Sequence, residues 1–83
     1  MSRMKSRICI DKLLVGSTVT IVGYNPVYGG YVGKLLAKGL TVGRSFKLLD
    51  VSNIERVLKM SSKGSTVVLS KPEADALYVT AID

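Results

Sequence analysis

Apolar and polar residues alternate along five short stretches of this chain and take a helical spacing in one. Ser17 to Tyr24 sets Val19 and Ile21 on one face against Thr18 and Thr20 on the other, the pattern of a half-buried strand. Before it, Ile10 to Gly16 is the first ordered piece, a turn anchored by Leu13 and Leu14. Asn25-Pro26 and Gly29-Gly30 bracket a loop, since Pro cannot continue a central strand. A helix is predicted from about Tyr31 to Lys38, because Val32, Leu35 and Leu36 fall at i, i+3 and i+4. Gly39 suits the left-handed position after it, and Leu40 is placed to fold back in a Schellman ending. Lys34 and Lys38 sit near the carboxyl end, where the helix dipole favours positive charge. Gly43 leads a second strand with Phe46 and Leu48 on one face. Ile54 to Ser61 alternates again, Leu58 and Met60 inward, Glu55 and Lys59 outward. Lys63-Gly64 turns the chain into Ser65 to Leu69, with Val67 and Leu69 inward. Ser70-Lys71-Pro72-Glu73 has the spacing of a capping box, opening a short helix that turns Ala74 and Leu77 inward. Tyr78 to Ile82 is the last strand. The expected fold is mainly β: a small closed or nearly closed barrel of about five strands with two short helices.

A length of 83 residues limits the chain to one domain, read as residues 10–83 behind a basic tail of residues 1–9. The single cysteine, Cys9, permits no intrachain disulfide, and with no histidine the usual nitrogen and sulfur metal-ligand sets are missing. Stability must come from packing. A hydrophobic fraction of 47% supplies it, and is also high enough to leave apolar surface for a partner. No run approaches the ~20 apolar residues of a membrane-spanning helix. With a lone thiol and no apolar signal segment, the expected location is the cytoplasm. The formal charge of +6 gathers partly at Arg3, Lys5, Arg7 and Lys12, a solvated tail or a contact for phosphates, anionic lipid or an acidic protein face.

The residues offer no reaction. Without histidine, a Ser or Cys nucleophile lacks its commonest base, and Cys9 lies between Ile8 and Ile10. Asp11, Asp50, Glu55, Glu73 and Asp75 form no recognisable dyad, and Gly29-Gly30 with Lys34 lacks the spacing of a phosphate loop. Scattered acids make no dedicated iron site, so no metal and no cofactor is expected. Recognition is the positive reading. Tyr24, Val27, Tyr28 and Tyr31 cluster around the Pro and Gly loop, with Lys34 and Lys38 as a basic rim. Tyr28, at the loop tip, is the first choice for a contact; the alternative for Tyr24 and Tyr31 is simply to cover the barrel mouth. Nucleic acid fits the net charge, but the aromatics are not interleaved with the basic residues as a stacking platform requires. Self-association into an oligomer is the third alternative.

The ordered set of motifs resembles the FeoA family, small cytosolic SH3-like barrels associated with bacterial ferrous iron uptake. The resemblance runs from about Ile10 to Val79. It rests on Leu13, Leu14 and Gly16; on Lys34, Leu35, Leu36, Gly39, Leu40 and Gly43; and on Leu69, Glu73, Ala74, Leu77 and Val79. The chain departs from the family at Val32-Gly33-Lys34, where an arginine-rich stretch is common, at Ser52-Asn53-Ile54 in place of Gly-Pro, and at Ser70 in place of a basic residue. The resemblance implies a non-enzymatic accessory that docks on the ferrous iron permease (FeoB-type), a membrane protein with a cytosolic GTP-binding domain. Contact with the membrane would then run through the permease. The same barrel ends the metal-dependent repressors, whose DNA-binding helices and metal ligands this chain lacks.

Overall fold

The computed structural model describes residues 8–82. The chain runs through β1 (Ile8–Cys9), a 3-10 turn (Ile10–Lys12), β2 (Thr18–Tyr24), a second 3-10 segment (Pro26–Tyr31) and α1 (Val32–Ala37). It continues as β3 (Ser45–Val51), β4 (Glu55–Met60), β5 (Thr66–Ser70), α2 (Lys71–Asp75) and β6 (Leu77–Ala81). The five expected strands and both helices are present. The sixth strand, β1, pairs Ile8 with Val79 and Cys9 with Tyr78, so ordered pairing begins two residues before Ile10. Of the basic tail, residues 1–7 lie outside the described residues.

All neighbouring strands are antiparallel, in the order β1-β6-β2-β3-β4-β5. The edge strands β1 and β5 do not pair with each other, so the sheet is open where full closure was one expectation. Two register shifts, between Ile21 and Gly23 on β2 and between Leu48 and Asp50 on β3, insert the extra residue of a bulge. Bulges bend a strand and increase its twist, which curls the sheet around one face. Onto that face pack Val19, Ile21, Phe46, Leu48, Leu58, Leu69, Leu77 and Val79, all fully buried. Each such side chain contributes about 1.5–3 kcal/mol relative to exposure. The inner face is completed by Leu35 and Leu40 from the α1 region and Ala74 and Ala76 from the α2 region. Helix α2 touches β4, β5 and β6 as well as both 3-10 segments, so it fills the interior that an unclosed sheet would leave to water.

Two expectations need correction. Leu14 does not anchor its turn; it is 79% exposed, and Leu13 alone packs on the core. The Asn25–Gly30 loop is a 3-10 segment. Asn25 caps it by accepting from the Val27 N–H at 3.0 Å, and Pro26 starts it with a φ already suited to helix.

Candidate partner-binding surface

The surface read from the sequence is built on Pro26–Tyr31 and α1, and hydrogen bonds fix both ends of that unit. The Gly39 N–H donates to the Leu36 carbonyl at 3.0 Å and the Leu40 N–H to the Leu35 carbonyl at 2.9 Å, the paired bonds of a Schellman ending. Gly39 stands at φ +85°, where any residue with a Cβ is strained. Gly43, at φ +95°, lets the chain turn so that its N–H reaches the Ile21 carbonyl at 2.9 Å and Arg44 returns a carbonyl to the Ile21 N–H. The Gly-Leu-x-x-Gly spacing is thus a stop and a re-entry into the sheet.

The three tyrosines are half-buried and pack against the core. Tyr24 lies deepest in the bonding: its hydroxyl donates to the Leu40 carbonyl at 2.7 Å and ties β2 to the residue after the helix stop. Burial raises its pKa above the usual 10.0, against a smaller opposing effect of the Val42 backbone. Tyr28 interrupts the 3-10 segment at φ −110°, ψ 28°, with its side chain on the core. Tyr31 carries the Lys34 ammonium 5.8 Å from its ring centroid, within cation–π range. The side chains that project from this unit are Val27, 82% exposed, and Leu36, 48% exposed, together with Lys34. Leu36 was expected in the buried stripe with Leu35; a six-residue helix presents only one turn to the core, and Leu35 takes it.

Lys38, the other half of the expected basic rim, also bonds within the fold. Its ammonium donates to both Glu73 carboxylate oxygens at 3.1 and 3.2 Å and to the Val68 carbonyl on the edge strand β5 at 2.9 Å. Glu73 also accepts from the Ser70 N–H at 2.8 Å, while Ser70 Oγ accepts from the Glu73 N–H, so the predicted capping box is complete. Burial raises the Glu73 pKa, but the Ser70 backbone bond, the Lys38 bond and charge and the Ser70 hydroxyl together hold it below its ordinary value. Lys38 therefore ties the end of α1 to α2 and β5 while its side chain stays 36% exposed, and Lys34 is exposed with its ammonium over the Tyr31 ring.

Arg56 escaped the sequence reading. It is 5% exposed, and Nη1 donates to the Ser52 and Glu55 carbonyls at 2.7 and 3.1 Å, closing the β3–β4 turn; Nε has no hydrogen-bond partner among the described residues. Its parity was the signal, since Arg56, Leu58 and Met60 share one side of β4. Among the described residues no three His, Cys, Asp or Glu side chains come together, and no helix is long and apolar enough to cross a membrane.

Known folds agree with this geometry. A crystal structure of an iron uptake regulatory protein (FeoA) superposes with a TM-score of 0.78 at 17% identity, covering 93% of this chain and 100% of that one. An NMR structure of a FeoA-like protein from Clostridium acetobutylicum gives 0.82 at 20% identity, covering 96% and 92%. A manganese-dependent transcriptional repressor in complex with manganese gives 0.85 at 17% identity; 95% of this chain corresponds to only 38% of the repressor. No curated protein sequence matches. At such identities the superpositions speak for the SH3-like fold, but the FeoA domain family model matches residues 8–81, nearly the whole sheet and both helices. The chain belongs to the FeoA family, and through it to ferrous iron transport.

Proposed function

We propose that the protein is a non-enzymatic, cytoplasmic accessory of ferrous iron uptake. It docks on the cytosolic part of the ferrous iron permease through the Pro26–Tyr31 and α1 unit and modulates the permease's assembly or activity. The observation that carries this reading is that Val27, Leu36 and Lys34 are left exposed on one unit whose ends are fixed by hydrogen bonds. Rigid presentation favours docking, because little conformational entropy remains to be lost on binding. Tyr28 and Tyr31 would supply the edge of the contact, half-buried from below. The iron need not touch this chain for such a role; among the described residues no three His, Cys, Asp or Glu side chains come together.

The test is an NMR titration of the labelled protein with the GTP-binding domain of its own organism's permease. Shifts concentrated from Tyr24 to Lys38, and lost in Val27→Asp, are the expected result. An unshifted spectrum at high partner concentration would remove that domain as the target; shifts elsewhere would remove this surface. Light scattering across protein concentrations separates the self-association alternative.

A further inference from the structure

The positive charge is unevenly matched across the molecule. Among the described residues, Lys38 and Lys71 are ion-paired, with Glu73 and Asp75. Arg44, Lys47, Lys59 and Lys63 gather at one end of the sheet, and among the described residues no carboxylate forms an ion pair with any of them. Lys47 and Lys59 are direct cross-strand partners on β3 and β4, both exposed. Residues so paired have Cβ atoms about 4.5–5.5 Å apart, and like charges there repel. Thr18 and Thr66 extend the row on either side. The Lys59 stem leans over the β4–β5 hairpin tip, its Cε only 3.8 Å from where a Cβ on Gly64 would lie.

Beside that tip a cleft of about 270 Å³ opens towards the end of α1, lined among others by Lys38, Gly39, Arg44, Ser62, Lys63 and Ser65. None of the residues lining it is acidic. Arg44 Nη1 donates to Ser62 Oγ at 3.2 Å, which steadies the guanidinium and uses one of its five N–H donors. The carbonyl end of α1 opposes an anion in principle. Here the helix has six residues, and the Leu35 and Leu36 carbonyls already accept from Leu40 and Gly39.

We propose that this cleft binds a phosphate group, with Arg44 and Lys63 as charged contacts and the Ser62 and Ser65 hydroxyls as further donors. The Lys47–Lys59 pair lies on the outer face of the sheet and does not line the cleft, but it adds to the positive field that attracts an anion to this end. A tetrahedral dianion fits better than a carboxylate, because donors converge from a planar fork, a point charge and two hydroxyls, more than two oxygens can accept. The cleft borders the α1 end of the proposed docking unit through Ala37, Lys38 and Gly39, but Arg44 and Lys63 lie outside that unit, so Arg44→Gln and Lys63→Gln separate phosphate binding from permease docking.

The experiment is an NMR titration of the full chain in which inorganic phosphate replaces chloride at constant ionic strength. Saturable shifts at the amides of residues 43–45 and 61–65 are expected, with affinity falling about tenfold in Arg44→Gln and in Lys63→Gln, roughly the loss of one charge-assisted contact. Lys12→Gln, far along the chain, should bind as the parent does. All three changes are exposed, and their spectra report folding directly. Linear shifts without saturation, shifts spread over every lysine, or full affinity in Arg44→Gln would overturn the proposal. Vesicles of phosphatidylglycerol against phosphatidylcholine form the second arm. Binding to the anionic vesicles that phosphate displaces identifies a lipid headgroup, and phosphate binding without vesicle binding identifies a soluble phosphate compound. Capture of an oligonucleotide or polyglutamate through these residues, with no competition by phosphate, would refute the site.

Discussion

Truncating Glu73 to alanine is the sharpest probe of how the open sheet is held shut. The Glu73 side chain is 8% exposed, and its carboxylate accepts from the Ser70 N–H at 2.8 Å and the Lys38 ammonium at 3.1 Å. Removing half of a capping box costs about 0.5–2 kcal/mol by analogy with N-cap losses. The ion pair adds less, because the Lys38 side chain is 36% exposed and solvent screens it; about 0.5 kcal/mol is appropriate. The expected loss is about 1–2.5 kcal/mol, a sizeable share of the 5–15 kcal/mol typical of a folded domain.

Urea denaturation followed by circular dichroism reads this directly. With a slope of about 1 kcal/mol/M for so small a domain, the midpoint should fall by about 1–2.5 M. Glu73→Gln keeps the volume and an acceptor for Ser70 and should cost about 1 kcal/mol. Lys38→Met keeps the stem but releases the Val68 carbonyl and leaves the carboxylate unpaired, costing about 1–2 kcal/mol. The double variant Lys38→Met/Glu73→Gln should then be less damaging than the sum, with a coupling of about 0.5–1 kcal/mol. A Glu73→Ala loss under about 0.5 kcal/mol, or strict additivity of the pair, would refute the claim that this contact joins the helices to the edge strand.

Two further outcomes follow from the same elements. Gly39→Ala meets no atom within 4 Å but must hold φ +85°, so it should cost about 1–2 kcal/mol in denaturation, whereas the exposed helical Gly33→Ala, equally free of contacts, should stabilise by about 0.5–1 kcal/mol. The folded-state pKa of Glu73 lies below its ordinary 4.5, so the unfolded chain binds the proton more tightly; stability present at neutral pH is lost as pH falls from about 4.5 through the folded value, and Glu73→Gln should flatten that acid limb of the melting temperature.

Most of the fold was legible because its signals are local. Period-two alternation placed Val19, Ile21, Phe46, Leu48, Leu58 and Leu69 on the core, and the Gly39 and Ser70 signatures named their capping bonds before any pairing was known. What escaped depends on partners distant in sequence. The two residues of β1 carry no periodicity and are strand only because β6 is there to receive them. Leu36 has the spacing of a core residue, and only the shortness of α1 turns it outward.

The charges show the limit most clearly. Lys38 and Lys34 are equivalent in the sequence, one turn apart on the same helix, yet they end in opposite roles. Lys38 is drawn to Glu73, thirty-five positions away, and to an edge carbonyl on β5. Lys47 and Lys59 sit twelve residues apart and look like two solvated cations. The β3–β4 register makes them face each other, and the bulge at Leu48–Asp50 falls on the turn side of that pair, where Asp50 stands opposite Val57. Register imposes this repulsion, and among the described residues no carboxylate forms an ion pair with either lysine. That is why the basic end of the sheet, rather than the charge total, is where an anion is expected.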